Sequence, residues 1–189
     1  CRAIVASAGW GNKIIPAQMS QDQNPDRPDE RKRIESMGGV VGMVYMGDDD
    51  EQEQVISVEQ ASTVEEDLGP ARVFFQPNVW EPPNHACFPG LAMSRSLGDT
   101  ILDELGVLPI PEVSVRTLKP KDKFMVVASD GIWQVLSNEE VVKVVCDAGG
   151  DPKAASEELY NEAKVRWENE AGGPYRDDIS VFVIYLQPK

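Results

Sequence analysis

Apolar residues recur along this chain with two periods. Short apolar runs or alternations occupy Arg2–Ser7, Lys13–Met19, Arg72–Phe75, Glu112–Leu118, Phe124–Ser129 and Ile179–Leu186, and each predicts a strand. The first two flank Ala8-Gly9-Trp10-Gly11-Asn12, a turn-rich pentapeptide, so they read as a β-hairpin. The other period is helical. Asp26 offers an N-cap, Pro28 and Glu30 suit a first turn, and Gly38-Gly39 ends a short, highly charged and mostly exposed helix. Ser137-Asn138-Glu139-Glu140 is a capping box that opens a second helix, ending near Asp147 before Gly149-Gly150. Asp151-Pro152 opens a longer one, in which Ala155, Leu159, Ala163 and Trp167 repeat every four residues as a buried stripe. Strands with hairpin-type links, followed by helices, predict an α+β fold rather than a Rossmann-like sheet.

Two strand ends carry the chemistry. The apolar run Phe124–Ala128 leads straight into Ser129-Asp130-Gly131, and Arg176-Asp177-Asp178 leads straight into Ile179–Leu186. Carboxylates fixed at strand ends beside a core suit a hard divalent cation. Mg²⁺ in particular takes one or two carboxylates plus waters and substrate phosphate. The pattern therefore points to metal-assisted chemistry on phosphate, although either aspartate alone would equally cap a turn.

Charge narrows the partners. The chain has 32 Asp and Glu against 18 Lys and Arg, a net −14, which disfavours nucleic acid and anionic membrane and favours basic proteins or peptides. No apolar run approaches the ~20 residues of a membrane span. Cys1, Cys87 and Cys146 are odd in number and lack a CxxC pattern, which argues for a reducing compartment, cytoplasmic or nuclear, and against a disulfide framework. His85, the single histidine, sits in a Pro-rich loop and reads as a solvent-facing side chain. Between Arg33 and Arg72 basic residues vanish while acidic ones accumulate, which predicts an acidic insertion over 47–69. It reads as a solvated loop or as an acidic lip that selects basic substrates; it lacks the alternating ligands of a calcium loop. At 189 residues the chain is most simply one domain and a monomer. Its opening on Cys1, directly inside a strand-like run, is what a fragment of a longer domain would show.

Four segments in order, SQDQNPDRPDERKRIESMGG (Ser20–Gly39), PGLAMSRSLGD (Pro89–Asp99), VVASDGIWQVLSNEEVV (Val126–Val142) and RDDISVFVIYL (Arg176–Leu186), resemble the metal-dependent protein phosphatases of the type 2C serine/threonine class. The fold this resemblance implies is two antiparallel β-sheets packed face to face with helices outside, an α-β-β-α sandwich, with residues 1–189 forming a partial domain that lacks its N-terminal part. It implies hydrolysis of phosphoserine and phosphothreonine in proteins by a metal-activated water, at a centre holding two Mg²⁺ or Mn²⁺ ions when complete. Asp130 and Asp177 match the family's metal-binding aspartates, and Asp99 matches an acidic position linked to a third metal. The family's other catalytic groups lie upstream, so no catalytic residue is placed in this chain. Gln134 stands where the family commonly has aspartate, which weakens the third site, and Asp178 stands where it often has asparagine. The rival reading is a non-catalytic module of the same fold that binds a basic or phosphorylated protein.

Overall fold

The computed structural model describes residues 1–46, 53–65, 68–75, 89–170 and 177–186. Pro83, His85, Cys87 and Arg176 lie outside them, as do 47–52 and 66–67 of the acidic insertion expected over 47–69. The chain divides into two compact units: Cys1–Asp22 with Glu112–Lys189, and Gln23–Pro111. Each contains one antiparallel four-stranded sheet with helices, an α+β architecture as the strand and helix patterns predict.

In the first unit, β1 (Arg2–Ala8) and β2 (Ile14–Gln18) form the hairpin, closed by the 3₁₀ turn Trp10–Asn12 with Gly11 at φ +67°. In the second unit α1 (Pro28–Ser36) is followed by β3 (Val40–Met46), β4 (Glu53–Ser57), α2 (Val58–Ala61), β5 (Arg72–Phe74) and β6 (Pro89–Leu91). Its sheet runs β4-β3-β5-β6, and Ile34, Val41, Val73, Leu102, Leu105 and Val107 make its core. The chain returns to the first unit with β7 (Asp122–Ala128), the single turn α3 (Asp130–Trp133), α4 (Asn138–Asp147), α5 (Pro152–Glu170) and β8 (Val181–Tyr185). That sheet runs β2-β1-β7-β8.

Strict alternation builds the first core. Along β7, Asp122, Phe124, Val126 and Ala128 are buried and the residues between them are half-buried. The apolar three of these, with Ile4, Ala6 and Val183, meet Val141, Val142 and Val145 of α4 and Ala155, Leu159 and Ala163 of α5. The four-residue stripe of α5 thus faces the sheet as its spacing predicts. The Ser137 capping box forms: its hydroxyl accepts from Glu140 N–H while Glu140 accepts from Ser137 N–H.

Three expectations change. Glu112–Leu118 forms no strand and joins no ladder. Its polar residues turn toward the sheet instead: Ser114 donates to Met19 O (2.5 Å), and Arg116 pairs with Asp122 (2.8 Å). Val113 and Val115 are left 82% and 91% exposed. The proposed acidic insertion is not a plain loop, because Glu53–Ser57 pairs with β3 and Ser57 caps α2 through a second capping box with Gln60. The first helix begins at Pro28 with Arg27, not Asp26, at the N-cap. That helix is mostly exposed, yet Glu30 on it is fully buried.

Candidate metal-binding site at the β7 and β8 ends

Asp130 and Asp177 emerge at the same end of the first unit's sheet. The β7–β8 ladder closes with Ala128 opposite Val181, so the antiparallel strands carry Ser129-Asp130 and Asp177-Asp178 out side by side. Three bonds extend the pairing beyond the ladder. Ser129 N–H donates to Ser180 O, Ser129 Oγ donates to Asp178 O, and Ser180 N–H donates to Ser129 Oγ, each 2.9 Å. Gly131 tightens the approach, since a β-carbon there would lie 2.5 Å from Asp178 O. Only glycine admits so close a carbonyl.

The turn holding Asp130 is fixed from behind. Trp133 donates its indole N–H to Ala128 O (2.9 Å), and Trp167 of α5 donates to Gly131 O (2.8 Å). Arg2 lies over the Trp133 ring at 5.2 Å, a cation–π contact, and grips Asp22 through two nitrogens (2.5 and 3.1 Å) and Asn138 (2.9 Å). β1, α3 and α4 are thereby tied at the end of the sheet from which Asp130 projects. Sequence reasoning found Trp167 as a core residue but missed its indole bond. It also missed Arg2 and the Ser129 hydroxyl, because none of these carries a spacing signal.

A divalent cation requires hard anionic oxygens that are close and not already neutralised. Among the described residues the Asp130 carboxylate has no hydrogen-bond or ion-pair partner, and it is exposed. Asp177 is half-buried and spends Oδ1 on Asp178 N–H (2.8 Å), which leaves Oδ2 free of described partners. Asp178, next in sequence, is exposed, and the three carboxylates do not all gather within 4.8 Å of one another, so the candidate ligand set is the pair Asp130 and Asp177. These residues fit a hard cation.

Asp99 lies in the second unit. It is exposed, accepts from Ser96 Oγ (2.5 Å), and is the one non-glycine residue with positive φ among the described residues (φ 51°). Its short polar side chain tolerates that conformation. The segment around it is anchored by a buried ion cluster. Glu30 is bound by Arg33 (2.5 and 2.9 Å), Arg95 (2.7 and 3.0 Å) and Arg27 (3.3 Å). The two stronger partners reach on to Ser94 O, Gly106 O and Ile110 O. Burial pushes the Glu30 carboxyl up, but the hydrogen bonds from Arg95 and Arg33 outweigh it and hold the group well below the usual carboxylate range.

A family model described as "Protein phosphatase 2C" matches residues 1–170. The chain belongs to the protein phosphatase 2C family. Among its relatives, probable protein phosphatase 2C 52 of Arabidopsis thaliana is 35% identical over 188 residues, covering 100% of this chain and 34% of that protein. Probable protein phosphatase 2C 73 of Oryza sativa subsp. japonica is 35% identical over 188 residues, with 99% and 38% covered. The chain thus spans 31% to 48% of the length of phosphatase 2C relatives it matches. A crystal structure of serine-threonine phosphatase 2C from Toxoplasma gondii superposes with a TM-score of 0.66 at 20% identity, covering 97% of this chain and 51% of that one. A Caenorhabditis elegans sex determining protein gives 0.59 at 21% identity, covering 99% and 35%. Identity that low speaks to the fold alone.

Proposed function

We propose that this stretch is the metal-carrying part of a metal-dependent protein serine/threonine phosphatase. The observation that carries the reading is the side-by-side exit of Ser129-Asp130 and Asp177-Asp178 from β7 and β8, with the Asp130 carboxylate unpaired among the described residues. The family match runs through both compact units, which supports reading residues 1–189 as part of a single phosphatase domain.

Asp130 and Asp177 would hold Mg²⁺ or Mn²⁺, with Asp99 as the candidate for a third ion. When bound, such ions supply Lewis-acid polarisation of a phosphoryl oxygen and a water made nucleophilic at neutral pH. The chain's own part is placement. Gly131 and the two indoles hold the Asp130 turn, Asp177 accepts the Asp178 N–H with one oxygen and offers the other, and Asp178 deepens the negative field that draws a cation. The net charge of −14 favours phosphorylated sites with basic flanks.

Gln134 supports a second reading. It stands exposed one turn beyond Asp130 and supplies an amide where a carboxylate would strengthen a further cation site, as a non-catalytic binding module would tolerate. The test is phosphopeptide hydrolysis with Mn²⁺ by a chain of the relatives' length that contains these residues. Turnover is expected, with Asp130→Ala lowering kcat/KM by about a hundredfold or more. Activity indifferent to that substitution overturns the metal assignment. Phosphopeptide binding without turnover selects the module.

A further inference from the structure

We infer that the Ser129 hydroxyl is a positioning residue for the metal site, a clasp that fixes the spacing between the Asp130 and Asp177 carboxylates. The inference rests on those two aspartates binding the metal. The ladder proper ends at Ala128 opposite Val181, so neither aspartate is itself held by strand pairing. One step out, Ser129 uses its backbone N–H on Ser180 O and its hydroxyl on two groups at once. The hydroxyl accepts from Ser180 N–H and donates to Asp178 O, both at 2.9 Å, and so brackets Ile179. Among the described residues, the bond from Ser129 Oγ to Asp178 O is the one hydrogen bond joining Asp177-Asp178 to the strand that carries Asp130. The remaining bond in that step, Asp178 N–H to Asp177 Oδ1, is internal to it. Gly131 brings its backbone to the same Asp178 carbonyl but contributes no donor to it.

That hydroxyl, together with the close approach of Gly131 to Asp178 O and the Ser129 N–H bond to Ser180 O, therefore sets how far apart the two carboxylate-bearing segments sit. Because Ser129 spends its donor and an acceptor on the backbone, it is an unsuitable metal ligand and acts through its neighbours. Removing the hydroxyl leaves Asp178 O without that donor and frees the Asp177 segment to move relative to Asp130, so a shared cation loses one ligand before the other.

The test titrates Mn²⁺ alone into the chain to measure affinity, counting free ion by its electron spin resonance signal, and then titrates the diamagnetic Mg²⁺ alone while following backbone amide shifts by nuclear magnetic resonance. In the unsubstituted chain, Mg²⁺ should shift the amides of 129–131 and of 177–180 together, and Asp130→Ala should abolish both the shifts and Mn²⁺ binding. Ser129→Ala should weaken Mn²⁺ binding about fivefold, the scale of one net hydrogen bond. It should also leave the 177–180 amides unshifted by Mg²⁺ while those of 129–131 still shift. Ser129→Thr, which keeps the hydroxyl, should restore binding and the joint shifts; Ser129→Cys replaces the alanine variant if that one fails to fold. Ser137→Ala, which removes only a helix cap, controls for general loss of stability and should leave the joint shifts intact. Joint shifts and full affinity in Ser129→Ala, or failure of threonine to restore them, overturns the clasp while leaving the metal assignment standing. Shifts and binding that survive Asp130→Ala overturn the metal assignment itself and the clasp with it.

Discussion

Side chains that look alike in the sequence carry different duties here, and Glu140 shows one of them. Ser137 donates to it through backbone N–H and hydroxyl, and Arg166 of α5 pairs with it at 2.6 Å. These partners lower its pKa from 4.5 to about 2, with the backbone bond from Ser137 leading. A carboxyl lowered in the folded state contributes stability that is complete above about pH 4.5 and lost as pH falls toward 2. Urea midpoints measured between pH 6 and 2.5 should therefore fall on acidification, and Glu140→Gln should flatten that fall while keeping the cap, since glutamine also serves at this position. An unchanged slope in the glutamine variant would reassign the acid sensitivity to other carboxylates. Asp122 belongs to the same class: Arg116, Ser7 and the Lys119 N–H hold its carboxyl well below the usual range. The Asp130 carboxylate, with no such partner among the described residues, stands apart from both, and that contrast is what marks it as available to a cation.

Among the elements, α3 is short and tightly constrained, four residues held by two tryptophans and pressed onto Asp178 at Gly131. Gly131→Ala should cost about 1–3 kcal/mol by overpacking, because the obstructing atom is a backbone carbonyl that cannot rotate away. Thermal unfolding checks this, and the same variant should weaken Mn²⁺ binding; a neutral result would mean the β8 end yields easily. Elements with a buried periodic face were legible in the sequence: β7 by alternation, α5 by its four-residue stripe, α4 by its capping box. Glu112–Leu118 was misread because alternation specifies extended backbone but not a hydrogen-bonding partner. Its valines face outward while Ser114 and Arg116 make the contacts. The region Glu53–Ala61 was hidden by its acidic neighbours, although Val55-Ile56 and the Ser57-to-Gln60 spacing did hold a strand and a cap. Nothing local could announce that Glu30 meets Arg95, 65 positions away, since that pairing exists only after the second unit folds. That the two aspartates stand at the ends of buried strands was legible; the residues that hold them in place were not.

For the molecule as a whole, the decisive quantity is how much of a metal shell 189 residues can supply. The two aspartates proposed as ligands at the β7 and β8 ends are fewer than a two-ion centre needs, and the chain covers only 31% to 48% of the relatives it matches, so the chain by itself should bind Mn²⁺ at a millimolar level and turn over aryl phosphate little or not at all. Binding nevertheless favours the folded state, because the cation neutralises carboxylates that otherwise repel one another and finds no such cluster in the unfolded chain. With a dissociation constant near about 1 mM, about 10 mM Mn²⁺ stabilises by roughly 1.4 kcal/mol. For a chain of this size that is a rise in Tm of about 3–6 °C. The rise should vanish in Asp130→Ala, whereas an equal concentration of Na⁺ added in its place should give none of it. A shift above about 10 °C in the unsubstituted chain would require binding far tighter than two carboxylates provide. It would place further ligands of the metal centre within these residues and overturn the two-carboxylate count.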